Sequence, residues 1–479
     1  MSSKLKIIPL AIAFLALLIP YPSYSQYFEV RGLMDVRSNF SDGDHSIEEL
    51  AKLAQSRGFG ALIICDHDRL VMEYGFPPFR HLLKKTYELN SIHSRGAENY
   101  LKAIERIQRF YPDVILIPGA ETTPFYYWTG TPWGKGLTAH NHERRLLVVG
   151  LNRPEDYVSM PILHNTLPLS LANLHRPALF YLAAAFLSLL MCLWKGRTRW
   201  AGAILCVFSI LLFFNSEPLK ASPFDAYSGD QGATPYNLLI NYVNNHGGLV
   251  FWNYPETRSG VRRLGPIALE TKPYPEMLLK TRDYTGFAAL YGDNITVTEP
   301  GNIWDITLRE YCAGQRTWPP WAIATADYHG EGKDGARLGD YPTVFWVREK
   351  SRAEILKAMQ TGKMYAVATK YPIAPKLNEF SVSSPDGGKR GISGDEIIIK
   401  GYPKIRLSLS VTGTDKAGPV QVRIIRSGQV IASSEGNLPL TLEYEDPYYK
   451  PGEKVYYRLD MKGNLGQIVS NPIFVTFEK

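Results

Sequence analysis

Apolar and polar positions between residues 34 and 68 follow the pattern of a helix and then a buried strand. Ser46, with Glu49 three residues later, is typical of a capping box, and the apolar spacing that begins at Ile47 predicts a helix from residue 47 to about residue 57. Residues 61 to 65 are all apolar, which predicts a strand buried on both faces. Asp66-His67-Asp68 follows directly, so ionisable groups stand at the carboxyl end of this strand.

The same layout of helix, apolar strand and polar residue recurs further along the chain. Residues 96 to 110 and 236 to 245 have helical spacing, whereas residues 114 to 117, 146 to 149, 249 to 252 and 322 to 326 are apolar and strand-like. Helices that alternate with buried strands predict an α/β fold. In α/β barrels the active site lies at the carboxyl ends of the strands. Glu121, Asp327 and His329 follow such strands and are therefore candidate functional residues.

Residues 371 to 479 have a different pattern, in which short stretches of alternating apolar and polar residues are separated by Gly, Pro and Asn. This pattern predicts an immunoglobulin-like β-sandwich without a catalytic constellation. Packing or spacing is its simplest role, and binding of a glycan or a protein partner is the sharper alternative.

Two uncharged apolar stretches, residues 177 to 194 and 200 to 216, flank the basic turn Lys195-Gly196-Arg197-Thr198-Arg199. Three cations between tryptophans favour a transmembrane hairpin over residues 177 to 216, with a buried hairpin in a soluble domain as the alternative. Residues 1 to 25 have two lysines, an apolar run and Ser23-Tyr24-Ser25, which favours a signal peptide over a retained anchor. The basic turn then faces the cytoplasm, and both globular parts are expected outside it, in a bacterial cell envelope.

Composition narrows the picture only slightly. The 479 residues are 45% hydrophobic, which allows two or three domains with a full-sized core. The formal charge of +7 is spread along the chain, so no nucleic-acid footprint is predicted. Four cysteines, three of them in apolar segments, do not predict a disulfide framework.

Several motifs resemble those of the PHP family, the polymerase and histidinol phosphatase domains. Ser41-Asp42-Gly43, a helix and a strand running into Asp66-His67 resemble the opening of such a domain, Pro118-Gly119-Ala120-Glu121 resembles its Pro-Gly-x-Glu element, and Asp327-Tyr328-His329 its Asp-x-His. The resemblance covers residues 28 to 370 apart from the hairpin. It implies a distorted (β/α) barrel in two parts, residues 26 to 165 and 217 to 370, which the hairpin interrupts.

The sequence departs from the family where histidine ligands are usual. Asp35 and Arg37 replace the two leading histidines, and Tyr254 replaces a later one. Arg145 takes the place of the histidine before the strand at residues 146 to 149, although His140 and His142 are close enough to be alternatives. By resemblance, Asp42, His67 and His329 would form one complete site for zinc, manganese or iron, and Asp35, Glu121 and Asp327 the remnant of a second.

Arginine cannot ligate a metal, because its guanidinium has only donors and stays protonated. We expect Arg37 and Arg145 to replace lost metal charge by pairing with the clustered carboxylates, which leaves one divalent ion or none.

Two functions of different classes follow. With an ion bound, the pocket would hydrolyse a phosphate ester, with Arg37 and Arg145 stabilising the phosphoryl oxygens. Without an ion, the protein would be a membrane-anchored pseudoenzyme that captures an anionic ligand or partner. A structural ion-pair core without any ligand is a third interpretation. Retention of Asp42, His67 and His329 favours metal binding, because an ion-pair core does not need them.

Overall fold

The computed structural model describes residues 27–134, 136–256, 260–293, 295–333, 337–414 and 418–479. The predicted signal peptide, residues 1 to 25, lies outside this part of the chain. In the described residues the helices are, in chain order, α1 (Ile47–Ser56), α2 (Ile92–Arg95), α3 (Ala97–Phe110), α4 (Pro154–Val158), α5 (Arg176–Met191), α6 (Arg197–Asn215), α7 (Thr234–Asn245), α8 (Met277–Lys280), α9 (Ile303–Cys312) and α10 (Arg352–Thr361), with a 3₁₀ turn at Leu171–Asn173.

The strands of the first part of the chain are β1 (Phe28–Val36), β2 (Ala61–His67), β3 (Val71–Gly75), β4 (Lys84–Glu88), β5 (Ile115–Thr122), β6 (Tyr127–Thr129), β7 (Leu137–His140), β8 (Leu146–Val149), β9 (Leu249–Trp252), β10 (Val261–Leu264), β11 (Ile267–Glu270), β12 (Gly286–Leu290), β13 (Trp321–Ala324), β14 (Pro342–Val347) and β15 (Met364–Ala368). Those of the last part are β16 (Ala374–Ser383), β17 (Arg390–Ile392), β18 (Glu396–Ile399), β19 (Lys404–Thr412), β20 (Pro419–Arg426), β21 (Gln429–Asn437), β22 (Leu440–Glu445), β23 (Lys454–Gly463), β24 (Gly466–Ser470) and β25 (Ile473–Phe477).

The predicted helix and strand at the start of the chain are confirmed. Helix α1 begins at a capping box, in which the backbone N–H of Ser46 donates to Glu49 Oε2 at 2.7 Å and that of Glu49 donates to Ser46 Oγ at 3.2 Å. Strand β2 is buried along its whole length. It therefore has neighbours on both faces, as an apolar run without alternation requires.

The central sheet has the strand order β13-β12-β9-β8-β5-β2-β1-β14. Strands β1, β2 and β5 are mutually parallel, as are β9, β12 and β13. Strand β8 lies between the two groups and is antiparallel to both neighbours. Its amino end therefore meets the carboxyl ends of β5 and β9, and the residue before β8 joins the edge where the candidate residues collect.

The two ends of this strand order approach each other through one isolated bridge. Val36, at the end of β1, forms a parallel bridge with Tyr328, which follows β13. The backbone N–H of Arg37 donates to Tyr328 O at 2.9 Å, and that of Tyr328 donates to Asp35 O at 3.1 Å. The chain is thus a mixed α/β protein, and the closed barrel stays a prediction.

The sheet continues into the C-terminal part of the chain. After β14 its order is β15-β24-β23-β20-β21, and β15 pairs with β24 in antiparallel register. A second sheet, β17-β16-β19-β22, shares a hydrophobic cluster with it that includes Leu377, Leu407, Val422 and Leu459. Beyond residue 371, one sheet therefore continues the central sheet without a break in hydrogen bonding, and the other packs against it through apolar side chains.

Asn471 joins the two parts of the chain a second time. This buried side chain accepts from the backbone N–H of Ala322 at 2.7 Å and donates to Ala322 O at 3.1 Å and Met364 O at 3.0 Å. Asn471 thus satisfies the backbone N–H and C=O of Ala322, which a neighbouring strand would otherwise have to pair.

Helices α5 and α6 pack against each other at small residues. A Cβ atom added at Gly202 would lie 2.9 Å from both Met191 Cβ and Ser188 O. Their large apolar side chains are mostly exposed, Phe180 and Ile204 each by 69%. Among the described residues only α6 is long and apolar enough to cross a membrane, since α5 has 16 residues. A hairpin with two spans is therefore not shown.

Candidate functional site

The predicted site residues meet at one edge of the central sheet. Asp35 belongs to the end of β1, His67 ends β2, Glu121 lies near the end of β5, Arg145 precedes β8 and Asp327 follows β13. The parallel strands and the reversed β8 bring these positions together across nearly 300 residues of sequence.

Arg37 is at the centre of the group. Its side chain is fully buried, and Nη2 lies 2.7 Å from Glu121 Oε2, 2.9 Å from Asp327 Oδ1 and 3.3 Å from Asp35 Oδ1. Nη1 donates to Cys65 O at 2.5 Å. One guanidinium therefore bridges three carboxylates and reduces the repulsion between them. Arg37 is not among the residues that line the cavity, and its contacts hold the carboxylates in position. Its contact with phosphoryl oxygens stays a prediction.

The two most buried carboxylates respond oppositely to this environment. Burial raises the pKa of Asp35 to about 7, with Arg37 opposing the change. Burial also raises the pKa of Glu121, but the charges of Arg145 and Arg37 outweigh it and lower that pKa to about 2. Near neutral pH, Glu121 is therefore ionised, whereas Asp35 is partly protonated.

Asn253 and Tyr254, which follow β9, complete the group. The Asn253 amide donates to Asp35 Oδ2 at 2.9 Å and to Glu121 Oε1 at 2.7 Å, and the Tyr254 hydroxyl donates to Asp35 Oδ2. Sequence reasoning placed Tyr254 at a histidine position but gave no role to Asn253. The available signal was its position directly after a buried strand, beside Tyr254.

Three residues of the site have backbone in the left-handed region that non-glycine residues rarely adopt. Their φ angles are 60° at Asp35, 43° at Tyr254 and 48° at Asp327. Such conformations cost on the order of 1 to 3 kcal/mol each and concentrate at functional sites. Their coincidence here indicates that the surrounding packing fixes these side chains in place.

The structure distinguishes the three candidates for the position before β8. Arg145 Nη1 donates to Glu121 Oε2 at 2.7 Å, and 17% of its side chain is exposed. His140 instead stacks on Tyr127 in a peripheral sheet, and His142 Nε2 lies 3.4 Å from Val71 O. Arg145 is therefore the residue that joins the charged group, and it lines the cavity above it.

Asp42 bridges the two histidines that the family motifs single out. Its Oδ2 atom lies 3.3 Å from His67 Nε2 and 3.2 Å from His329 Nε2. Burial raises the pKa of Asp42, but hydrogen bonds from both imidazoles outweigh it and hold that pKa well below its usual range. The second ring nitrogens are also engaged, since His67 Nδ1 is 3.4 Å from Glu121 Oε2 and His329 Nδ1 donates to Asp327 O at 2.7 Å.

Asp66 holds the loop that presents Asp42. Its carboxylate accepts from the hydroxyls of Ser38 and Ser41, each at 2.6 Å, and from both backbone N–H groups. A Cβ atom at Gly43 would collide with Arg37 O, so the turn after Asp42 requires glycine. Ser41 and Gly43 therefore fix the position of Asp42 in this loop, whether or not an ion is bound.

Two sets of three residues at this edge carry metal-ligating side chains. In the part of the chain that the structure describes, Asp35, Glu121 and Asp327 offer ligand atoms that all lie within 4.8 Å of one another. Arg37 Nη2 already occupies the space between them. A metal ion does not fit this set while the arginine is present.

The set Asp42, His67 and His329 has the carboxylate and imidazole donors of a divalent-ion site. Both separations from Asp42 Oδ2 match the edge of about 3.3 Å expected around tetrahedral zinc with bonds of about 2.0 Å. The three ligand atoms are not all within 4.8 Å of one another, so the long separation is between the two imidazoles. Binding would draw His67 and His329 together, and the engaged Nδ1 atoms leave both Nε2 atoms aimed at the site.

A cavity of about 560 Å³ opens above these residues. Asp42, His67, Arg145, Asp327 and His329 line its polar end. Its remaining walls come mainly from the β3–β4 and β10–β11 hairpins and are largely apolar. Residues 122 to 143 contribute His142 and Glu143 to the lining and contain β6 and β7.

Comparisons with known proteins give weak likenesses. No protein-family profile matches the chain, and no curated protein matches it. A two-domain protein from Bacteroides vulgatus, which contains a predicted PHP-like metal-dependent phosphoesterase, has 11% identity, a TM-score of 0.36 and 90% coverage of both chains. A proposed metal-dependent phosphoesterase from Bifidobacterium adolescentis has 15% identity and a TM-score of 0.28, covering 65% of this chain and 90% of its own. Neither TM-score establishes a shared fold, so the PHP resemblance depends on the motifs.

The raised pKa of Asp35 predicts a pH-dependent stability. The folded state keeps a proton that the unfolded state releases above pH 4, so the free energy of unfolding should fall as the pH rises from about 4 to 7. Asp35→Asn should remove about 1.4 kcal/mol per pH unit from this slope. Thermal unfolding of both proteins across that range measures it. The control is Asp44→Asn, at an exposed carboxylate nearby, which should keep the wild-type slope. A wild-type slope in Asp35→Asn as well would contradict the raised pKa of Asp35.

Proposed function

We propose that the cavity binds a phosphate ester and hydrolyses it with one divalent ion held by Asp42, His67 and His329. The observation that carries this proposal is the position of His67 between two carboxylates, Asp42 and Glu121. Burial, together with the charge of Arg37, lowers the pKa of His67, which favours its neutral form. A neutral imidazole has one N–H group, so one of its nitrogens presents a lone pair to a carboxylate oxygen. A cation between Nε2 and Asp42 removes that conflict.

His329 supports the same proposal independently. A backbone carbonyl only accepts, so His329 Nδ1 must carry a proton to bond Asp327 O. In its neutral form Nε2 then faces Asp42 Oδ2 with a lone pair at 3.2 Å. Hydrogen bonding to Asp42 raises the pKa of His329 against the effect of burial, so a proton or a metal ion satisfies this position.

The chemistry is hydrolysis of a phosphate ester by water. The water oxygen bonds to phosphorus, the ester P–O bond breaks, and the leaving oxygen takes up a proton, which yields an alcohol and inorganic phosphate. A bound divalent ion supplies a lower pKa for its water and neutralises phosphoryl charge. Arg145 keeps one nitrogen on Glu121, and its exposed donors can bind the phosphoryl oxygens.

The protein would act at a membrane. Helix α6, with 19 residues, is about 28 Å long, close to the thickness of a bilayer core. Its contact with α5 through Gly202 and Ser188 is of the small-residue kind common between membrane helices. We therefore place the basic turn in the cytoplasm and both globular parts in the bacterial cell envelope outside it.

A second function is favoured by Arg37. In the described residues, one set of three carboxylates lies at this edge, and the Arg37 guanidinium fills it. The positive charge there comes from arginine and not from a metal ion. Capture of an anionic ligand by Arg145 without turnover is therefore the competing proposal, and metal content separates the two.

The test is the metal content of the full chain, purified in detergent without chelators, together with phosphate release from p-nitrophenyl phosphate. One equivalent of metal and hydrolysis that stops on chelation would support the proposal. Two or more equivalents would contradict the arginine-filled centre. No metal after reloading with zinc, manganese or iron would favour the anion-capturing pseudoenzyme.

Arg145→Ala should weaken phosphate-ester binding while the fold is retained. Glu121 keeps Arg37 as a partner, so the loss falls mainly on the ligand, and a lost charged hydrogen bond corresponds to a KM about tenfold to a hundredfold higher. Steady-state kinetics with p-nitrophenyl phosphate measure this change. Arg262→Ala is the control, since Arg262 lines the cavity mouth with 67% of its side chain exposed and should change KM much less.

A further inference from the structure

The cavity has two chemically different ends. Its polar end holds the charged residues of the proposed site. One part of its walls is apolar, with Leu70, Val71, Met72, Tyr87, Leu89 and Leu264, and Glu143 and Arg262 line another part. A volume of about 560 Å³ is within the range of sites that enclose a whole small molecule and is larger than a phosphate group requires. The walls therefore favour a ligand whose phosphate continues into an apolar group.

The wall at β4 is open to solvent. Tyr87, in β4, and Leu89, directly after it, are 65% and 43% exposed, and both line the cavity. Leu83, immediately before this strand, is 56% exposed. Leu83, Tyr87 and Leu89 therefore form an exposed apolar face between the β3–β4 turn and the cavity, which Lys85 interrupts once.

The turn between β3 and β4 contacts the apolar helix α6. The ring of Phe79 lies 6.2 Å from the ring of Phe208, and the backbone N–H of His81 donates to Asn215 Oδ1 at 3.1 Å. Lys84 Nζ lies 3.6 Å from Glu217 Oε1, just beyond the helix. Phe208 is seven residues before the end of α6, about 10 Å along the helix. If α6 spans a bilayer, this turn lies at its surface.

We propose that the substrate is a phosphate ester of a lipid in the same bilayer, with its phosphate at Arg145 and the Asp42 site. Its acyl chains would stay near α6, and the apolar part next to the phosphate would lie along Tyr87 and Leu89. This inference rests on the proposed phosphoesterase function and names its substrate class. Glu73, His81 and Glu217 beside the turn also form a metal-like set, but Lys84 Nζ lies 3.0 Å from Glu73 and fills it.

The test uses the full chain reconstituted in phosphatidylcholine vesicles. Release of inorganic phosphate is measured from dioleoyl phosphatidic acid in the vesicles and from p-nitrophenyl phosphate in solution. The ratio of the two rates should fall at least about tenfold in the double variant Tyr87→Ser, Leu89→Ser, because apolar contact with the lipid is lost. The control is Ile398→Ser with Val430→Ser, two exposed apolar residues of the C-terminal sheets, which should leave the ratio unchanged.

The outcomes separate the inference from the proposed function. Hydrolysis of p-nitrophenyl phosphate without hydrolysis of phosphatidic acid would overturn the lipid substrate and leave the phosphoesterase standing, as would an unchanged ratio in the double variant. Equal rates for soluble dihexanoyl phosphatidic acid and the dioleoyl form in vesicles would overturn delivery from the bilayer. Hydrolysis of none of these esters by metal-loaded protein would overturn both proposals.

Discussion

Replacing Arg37 by alanine should lower the free energy of unfolding by about 3 to 5 kcal/mol, the range expected when one partner of a buried ion pair is removed. Asp35, Glu121 and Asp327 would remain close together without their shared cation. Because these carboxylates already have a spacing suited to a metal ion, the variant should also bind Mn²⁺ there. Added Mn²⁺ should therefore restore much of the lost stability, in a thermal unfolding measurement with and without the ion.

The matched control is Arg458→Ala. Arg458 is also fully buried, but it pairs chiefly with one carboxylate, Asp305, at 2.7 Å. The variant should lose stability to a similar extent, and Mn²⁺ should stabilise it no more than it stabilises the wild type, because too few ligands converge at Arg458. Equal responses of the two variants to Mn²⁺ would show that the effect at Arg37 is not a metal site. Full stability of Arg37→Ala without an ion would show that the guanidinium does not hold the carboxylates together.

His329→Ala should abolish binding of the single ion and reduce phosphate-ester hydrolysis about a thousandfold or more. Asp42 would keep only His67, and two ligands do not form a stable site for zinc or manganese. The rate estimate corresponds to the several kcal/mol that a metal ion contributes to transition-state charge stabilisation. Elemental analysis and phosphate release from the same preparation measure both effects.

His142→Ala separates loss of a ligand from loss of any histidine in the cavity. His142 lines the same cavity, but its Nε2 atom lies 3.4 Å from the backbone oxygen of Val71 and not beside Asp42. Metal content should stay near one equivalent in this variant. Unchanged metal content in His329→Ala would remove the proposed site, whatever the activity.

Local elements could be predicted because short-range physics determines them. The capping box at Ser46, the strand that begins with the all-apolar residues 61 to 65 and the helix at residues 97 to 110 all follow from spacing along the chain. The predicted sharing of carboxylate charge by Arg37 and Arg145 also appears in the structure, because a buried group of like charges needs counter-ions wherever it forms.

The remaining features depend on contacts between distant parts of the chain. The Asn253 amide donates to Asp35, 218 residues away in sequence, and no local sequence pattern predicts such a hydrogen bond. The sequence predicts that Arg37 carries charge in the pocket but not that its side chain is fully buried. That burial results from strand ends that are distant in sequence and meet around it. The reversal of β8 depends on its neighbours in the sheet, since four apolar residues have no direction of their own.

The pairing of β15 with β24 also affects how the protein can be made. Residues 364 to 368 pair with β14 on one side, and they obtain their second partner strand only when residues 466 to 470 have been synthesised. Asn471, which satisfies the outer edge of β13, arrives at the same stage. Until then the nascent chain exposes two strand edges with unpaired backbone N–H and C=O groups, which favours aggregation. A chain cut near residue 370 would keep those edges permanently, so expression of the first part alone should yield aggregated protein.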